Sequence, residues 1–310
     1  MIPLDEIRRA RERLGADVLR TPLVRFEGDI WLKLEALQPI GSFKLRGALS
    51  AVRAAGRDEL AGGVVTASAG NMAQGVAWAA REAGVRAQVV APETAPRAKL
   101  DAVERLGAEL ILVPHEVWWQ TMVDRRYEGA TGLFVHPVED EAVMAGNGTI
   151  GLELCEDLGG FDAVVVPWGG GGLTTGIASA VKALRPEVRV ITAEPATAAP
   201  LAAALAAGSP VEIDYRPSFV DGAGGRALLP TMWERANGLV DGASAVPLDE
   251  VAAAMRLLAV RAHVVAEGAG ALALAAALRG DAGEGRVVCI VSGGNVDAAV
   301  LARVLAGETP

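Results

Sequence analysis

Lysine is scarce in this 310-residue chain, with four residues against 25 arginines. Histidine numbers three and cysteine two, Cys155 and Cys289. Two cysteines cannot build a disulfide framework or a multi-cysteine metal site, and they suit a reducing compartment. His115, His136 and His263 lack metal-ligand spacing, and neither HExxH nor CxxC occurs, so no metal centre is expected. Aromatic residues make up only 4%, too few for base-stacking platforms. Acidic side chains outnumber basic ones by 38 to 29, for a formal net charge of −9. That balance argues against nucleic acid or an anionic membrane as the main partner. No run reaches the ~18 uninterrupted apolar residues of a membrane span. The N-terminal stretch MIPLDEIRRARERLG is charged and helical, unlike a secretory signal. A soluble, cytoplasmic protein is expected.

What the chain does have is apolar bulk. Hydrophobic residues are 51% of it, enough to bury a large core, and the length suits about two domains at ~150 residues each. Short β-branched runs alternate with Ala-rich helical stretches. Strands are predicted at 63–66, 87–90, 110–113, 134–135, 163–166, 188–193 and 286–291. Helices are predicted at 71–83, 97–106, 117–127, 139–157, 173–184, 248–261, 268–277 and 296–305. Strands this apolar are covered on both faces, which implies parallel sheets with crossover helices and an α/β class. Pro195–Leu229 is the least regular region and reads as loops.

Several chemistries find no support. GxxxxGK[ST] is absent, which excludes a P-loop. A GxGxxA match at Gly268–Ala273 comes late, with no acidic residue ending a following strand, and reads as a close-packed helix. Ser68 lies in a strand-to-helix turn that loosely resembles a nucleophile elbow, but Thr66 stands where that pattern needs Gly. Trp168 and the Trp118-Trp119 pair could shape a pocket, although packing explains them more simply.

The four lysines narrow the search for a nucleophilic amine. Lys33 sits in an alternating strand, and Lys99 and Lys182 on amphipathic helices among charged neighbours; solvated surface accounts for them. Lys44 differs, because GSFKLRGA places it in a Gly-bounded turn that runs into an apolar helix. A second turn, at Gly169-Gly170-Gly171-Gly172-Leu173, follows a buried strand and opens a helix. Bare glycine amides and the helix dipole suit a phosphate there. A third turn, Ser68-Ala69-Gly70-Asn71-Met72, offers amides suited to a carboxylate. A fourth, Ser292-Gly-Gly-Asn295, closes the last strand. All lie at strand C-termini, where open α/β sheets bind ligands.

Together these motifs resemble the fold-type II pyridoxal-phosphate enzymes, in the threonine/serine dehydratase branch, related to the serine racemases. The resemblance runs along nearly the whole chain, through GSFKLRGA, ASAGN, GGGGL, the AEP at Ala193–Pro195, VDG at Val220–Gly222, EGAGALALAAAL and SGGNVD. It implies a two-lobed α/β fold like that of the tryptophan synthase β subunit, with open, mostly parallel sheets and helices on both faces. Residues 1–48 and 141–310 would form the larger, cofactor-binding lobe and 49–140 a smaller lobe that closes over substrate.

The same resemblance implies residue roles. Lys44 carries pyridoxal 5'-phosphate as a Schiff base and then acts as base on the substrate Cα, with Phe43 against the ring. Asn71 bonds the ring hydroxyl, Gly169, Gly170, Gly171, Gly172 and Leu173 hold the phosphate, and Ser292 faces the pyridine nitrogen. Ser68, a second candidate catalytic residue, forms the substrate turn with Ala69, Gly70, Asn71 and Met72, and Gly222 lies on the substrate side. The implied reaction is dehydration and deamination of L-threonine or L-serine to an α-keto acid and ammonia. Elimination or replacement on a hydroxyaspartate- or cysteine-like amino acid is an alternative, as is a non-catalytic amino-acid-binding relative.

Three departures from the branch stand out. Met72 occupies a usual His position. Ala69 lacks the hydroxyl that serine racemases carry. Pro200 replaces the Asp that would join Glu194 at a cation site, so no metal is expected. The short stretch after the last helix leaves no room for a regulatory domain, so feedback through one is not expected. A homodimer acting on a small amino acid is expected.

Overall fold

Apolar runs of four to seven residues are too short for helices and become buried strands between amphipathic helices. The computed structural model describes residues 1–95 and 97–310. Its first half comprises α1 (Leu4–Leu14), β1 (Leu23–Glu27), β2 (Ile30–Lys33), α2 (Lys44–Ala54), β3 (Val64–Ala67), α3 (Asn71–Ala83), β4 (Ala87–Pro92), α4 (Arg97–Arg105), β5 (Glu109–Val113), α5 (His115–Asp124), β6 (Leu133–Phe134) and α6 (Glu141–Asp157). The second comprises β7 (Ala163–Pro167), α7 (Gly172–Leu184), β8 (Arg189–Pro195), α8 (Pro200–Ala207), α9 (Pro230–Ala236), β9 (Gly242–Val246), α10 (Leu248–Arg261), α11 (Gly268–Leu278), β10 (Val287–Ile290) and α12 (Ala298–Leu305).

The strands form two sheets. The larger has the order β1-β2-β10-β7-β8-β9, with only β1 antiparallel to its neighbour, and the smaller is all parallel, β5-β4-β3-β6. The fold is therefore α/β, as predicted. Alternation with period two sorts the larger sheet's side chains onto two faces. Ala163, Val165, Ile191 and Cys289 join a core with α10 and α11. Val164, Val166, Val190 and Ile290 join another that includes α6 and α7. The smaller sheet packs likewise, against α3 on one face and Trp118 of α5 on the other.

Helices α2, α6 and α7 approach closely through glycines. A Cβ on Gly146 would lie 2.4 Å from the Arg46 carbonyl oxygen, and one on Gly176 2.3 Å from that of Met144. Larger side chains would force the helices apart. The glycines of α6, Gly146, Gly148 and Gly151, have the spacing of a dinucleotide fingerprint yet serve helix packing. The GxGxxA stretch is likewise the buried opening of α11, pressed against Gly293.

Helices α3 and α10 span the predicted residues, while β1, α8, α9 and β9 have no predicted counterpart. Helix α8 lies inside the region read as irregular. Strand β9 (GASAV) has little β-branched bulk and pairs with β8 at the sheet edge. Among the described residues, no helix is long and apolar enough to cross a membrane.

Candidate active site

Strand order locates the site before any side chain is considered. In the larger sheet the chain leaves β7 toward β8 on one side and returns as β10 on the other; in the smaller, β4 and β6 flank β3. Connections that depart to opposite sides open a crevice at the strand C-termini. The loops at these two switch points are 168–171 and 291–295 in one sheet, 68–70 and 135–140 in the other. They meet each other, and the start of α2 joins them.

Lys44 is the first residue of α2. Its Nζ donates to the Pro137 carbonyl oxygen at 3.0 Å and stands 5.3 Å from the centre of the Phe43 ring. Phe43 is anchored by its backbone N–H, which donates to the Ser292 carbonyl at 3.0 Å, and Ser42 bridges Gly293. Among the described residues, no carboxylate forms an ion pair with the Lys44 amine. Burial pushes its pKa down to about 8, and the charge of Glu267 only partly opposes this. Lys44 is thus an amine poised to lose its proton near neutral pH, the state in which it is nucleophilic.

Pro137 is held by its neighbour. The buried His136 accepts at Nδ1 from the backbone N–H groups of Val138 (3.1 Å) and Glu139 (2.8 Å). Burial lowers its pKa to about 4, so the ring is neutral, as an acceptor at Nδ1 must be. Val138 then packs on the glycine loop. A Cβ on Gly170 would fall 2.3 Å from Val138 Cγ2, and one on Gly172 2.8 Å from the Val138 carbonyl oxygen. Gly171, at φ +94°, takes a backbone conformation that side chains resist. These residues lead into the N-terminus of α7, where backbone N–H groups lack helical partners. In its first turn Thr174 and Thr175 bury hydroxyls without a hydrogen bond to the described residues.

The third loop opens α3. Ser68 Oγ accepts from Gly70 N at 3.2 Å, which shapes the turn. Ala69 and Gly70 are half-buried within it. Met72 is 2% exposed and its side chain packs in the core with Leu45 and Val76, so only its backbone belongs to the turn. Asn71 Nδ2 donates to Glu267 Oε1 at 2.8 Å, and Asn71 Oδ1 accepts from Asn295 Nδ2 at 2.8 Å. Burial, helped by the charge of Asp221, raises the Glu267 pKa to about 7. Gly222 lies beside Glu267, since a Cβ there would be 3.6 Å from Glu267 Oε1. The Gly222 carbonyl oxygen would lie 3.3 Å from a Cβ on Gly169. The buried Ser292 joins the cluster through its backbone bond to Phe43.

Of the other candidates, Trp168 is fully buried among Leu201, Ala204 and Leu228, and its ring backs the glycine loop, since a Cβ on Gly171 would fall 2.5 Å from Trp168 Cη2. Trp119 is on the surface. Glu194 is buried and accepts from Leu201 N (3.0 Å) and Ala202 N (2.8 Å), capping α8. Lys99 is not simply solvated, because it pairs with Asp221 in the loop beside Gly222. Lys33 corrects the surface expectation, being fully buried against Glu153. His136 and Pro137 join the site without having been predicted to, and Asn295 was expected there only as part of its motif. The strand-terminal position of VHP, after an apolar run, was the available signal.

The chain is similar to known proteins along nearly its whole length. The family model for pyridoxal-phosphate dependent enzymes matches residues 16–293. The chain is 40% identical over 320 residues to L-threonine ammonia-lyase of Thermotoga maritima, across 98% of this chain and 78% of that protein. Maize serine racemase superposes with a TM-score of 0.88 at 31% identity, covering 98% of this chain and 96% of that one. The processed form of threonine deaminase isoform 2 from Solanum lycopersicum gives a TM-score of 0.86 at 30% identity, covering 98% of this chain and 86% of that one.

Proposed function

The chain belongs to the pyridoxal-phosphate dependent enzymes, and we propose that it dehydrates and deaminates L-threonine or L-serine to an α-keto acid and ammonia. The residues fit pyridoxal phosphate on two observations. The glycine loop is packed so closely on Val138 and Trp168 that Gly170, Gly171 and Gly172 have no room for a Cβ, and its bare backbone runs into the unpaired amides that open α7. The Lys44 amine is desolvated and, among the described residues, has no carboxylate within bonding distance.

Lys44 would hold the cofactor, with Phe43 beside the ring, Asn71 donating to the ring oxygen and Gly169 to Leu173 binding the phosphate. Once bound, the cofactor makes the substrate Cα–H acidic by spreading charge into its ring. Lys44 would take that proton, and the proton it gains balances the one the Cβ hydroxyl needs to leave as water; the released enamine would then take up one water to give the keto acid and ammonia. Ser292 would face the ring nitrogen with a hydroxyl, which favours ring protonation less than a carboxylate would and so suits elimination. The Ser68–Met72 turn, with its α3 amides, would hold the substrate carboxylate, and Gly222, packed against Ala269 beside Glu267, would lie on the substrate side.

Ala69 supplies no proton donor for the second face of Cα, so racemisation is expected to be minor. D-serine formation at a rate comparable to elimination would overturn that point. Further parts of the reading are a lobe of residues 49–140 closing over one of 1–48 and 141–310, a cytoplasmic setting and a homodimer without nucleic-acid or membrane partners. The Lys99–Asp221 and Asn71–Glu267 contacts across the cleft support the closure. The net charge supports the choice of partners.

The observation that carries the proposal is the convergence of the Lys44 amine, the glycine cradle and the Asn71 turn at two switch points. Its test is ammonia and keto-acid release by the cofactor-loaded protein. Turnover of L-threonine or L-serine supports it. Turnover of other β-substituted amino acids alone replaces the substrate, and no turnover of any amino acid leaves a binding protein.

A further inference from the structure

A side-chain amide can be placed either way round, but here a backbone carbonyl decides. Asn295 lies within 2.8 Å of the Ile40 carbonyl oxygen, which can only accept, so the atom facing it is Nδ2. The same Nδ2 donates to Asn71 at 2.8 Å, so Asn71 turns its Oδ1 that way. Asn71 Nδ2 is then forced toward Glu267, whose Oε1 accepts at 2.8 Å. That bond uses one of the two Nδ2 hydrogens and leaves the other free.

Glycines clear space around this chain of bonds. A Cβ on Gly41, at φ +70°, would lie 2.7 Å from Asn295 Oδ1. One on Gly293 would lie 2.5 Å from Glu267 Oε1 and 3.3 Å from Asn71 Nδ2. Burial favours a proton on Glu267, but an amide donor at Oε1 keeps that oxygen an acceptor.

We propose that Asn295 and Glu267 are positioning residues that lock the Asn71 amide so that it presents its N–H, not its oxygen, to the cofactor ring. This rests on the proposed function, in which Asn71 faces that ring. A ring oxygen that carries negative charge needs a donor, and an inverted amide would set a lone pair against it. The lock draws on four separate segments: the turn before α2, the start of α3, the residue before α11 and the loop after β10. No one of them fixes the amide alone.

The test compares the cofactor-loaded wild type with Asn295→Asp and Asn295→Ala, each also in an Asn71→Ala background. Readouts are cofactor capture at Lys44 after borohydride reduction, the visible absorption band across pH, and kcat and KM separately. Asn295→Asp is nearly isosteric but offers acceptors to Ile40 and Asn71, which favours the inverted amide. Capture at Lys44 should persist, the band or its apparent pKa should move, and kcat should fall about tenfold with a smaller change in KM. In the Asn71→Ala background these effects should vanish, because Asn295 acts through Asn71. If Asn295→Asp fails to fold, Asn295→Ala carries the same comparison. Additive effects, or a wild-type band with kcat within about twofold, overturn the lock and leave the proposed function standing. A wild type that captures no cofactor at Lys44 overturns both.

Discussion

Lys33 and Lys44 are the first two lysines of the chain, the first fully buried and the second half-buried, and the fold treats them in opposite ways. Lys33 Nζ meets Glu153 Oε2 at 2.5 Å and the Thr21 carbonyl at 2.8 Å. Beside it Arg46 bonds Glu35 through Nε and Nη2, each at 2.8 Å, and Glu153 through Nη1 at 2.6 Å. Thr149 and the Leu19 carbonyl take further Arg46 donors. Arg46 holds the Glu35 carboxyl below its ordinary pKa against the pull of burial, and the carboxylates hold Arg46 charged. Two cations and two carboxylates thus neutralise each other within one buried cluster. Lys44, two residues before Arg46 on the same helix, has a single carbonyl for company and a lowered pKa. Pairing keeps a buried charge and spends it on position; withholding a partner leaves an amine ready to react. The paired cluster fixes α2 to β2 and α6, and so fixes where the reactive amine stands.

The strongest way to break the comparison is to remove Lys44. Lys44→Met should lower turnover by about a thousandfold or more, because the proposed base is gone. The same change should stabilise the cofactor-free protein at pH 7 by about 1–3 kcal/mol, since it deletes a desolvated ammonium. The sign follows from the depressed pKa: the penalty is full below about 8 and fades as pH rises toward the free-lysine value. Thermal unfolding checks it, and a loss of stability would place Lys44 with Lys33.

Arg46→Met should do the reverse to the fold. It leaves the Glu35 and Glu153 carboxylates facing each other in a buried site, at a cost of about 3–5 kcal/mol in urea unfolding. A loss below about 1 kcal/mol would mean that water already shares the cluster. Residual activity per folded molecule should fall far less than in Lys44→Met, because the chemistry is untouched.

A smaller and graded effect concerns pH. In cofactor-free protein, capture by Lys44 needs the neutral amine. The capture rate should rise about tenfold per pH unit below about 8 and level off above it. A rise that continues to about pH 10 would show an ordinary, solvated lysine. Glu267, whose pKa is raised to about 7, works the other way on stability. The folded state keeps a proton that the unfolded chain has lost, so stability from this group declines as pH rises from about 4.5 to 7. Glu267→Gln should flatten that decline.

How far the sequence discloses each lysine follows from where its partners lie. The Lys44 turn, the glycine loop and the Ser292 turn are contiguous strand-turn-helix segments, and their chemistry is readable from neighbours in the chain. Lys33 looks like a solvated strand residue because its acceptor, Glu153, stands on a helix far downstream. Arg46 looks like an ordinary helix arginine for the same reason. Asn71 finds Glu267 and Asn295 only after both sheets are assembled. The layout of the strands was legible as alternation, whereas β9 and α8 were not, because small residues carry little periodic signal. Glu194 resembles half of a cation site until α8, which begins at the very Pro200 that broke the motif, turns out to be what it caps.

Met72 provides the smallest expected effect on activity and the finest test of how these loops work. It stands where the related branch carries His, yet its side chain is buried among Leu45, Val76 and Ala73. If the turn holds a carboxylate through backbone N–H groups alone, Met72→His should leave kcat and KM within about threefold. The imidazole would meanwhile enter an apolar core without a partner, and stability should drop by about 1–3 kcal/mol. The two readouts should therefore separate, with unfolding moved and catalysis nearly still. A change in KM of about tenfold without loss of stability would instead place the side chain of this residue in the substrate pocket, and the turn would have to be read as a side-chain site.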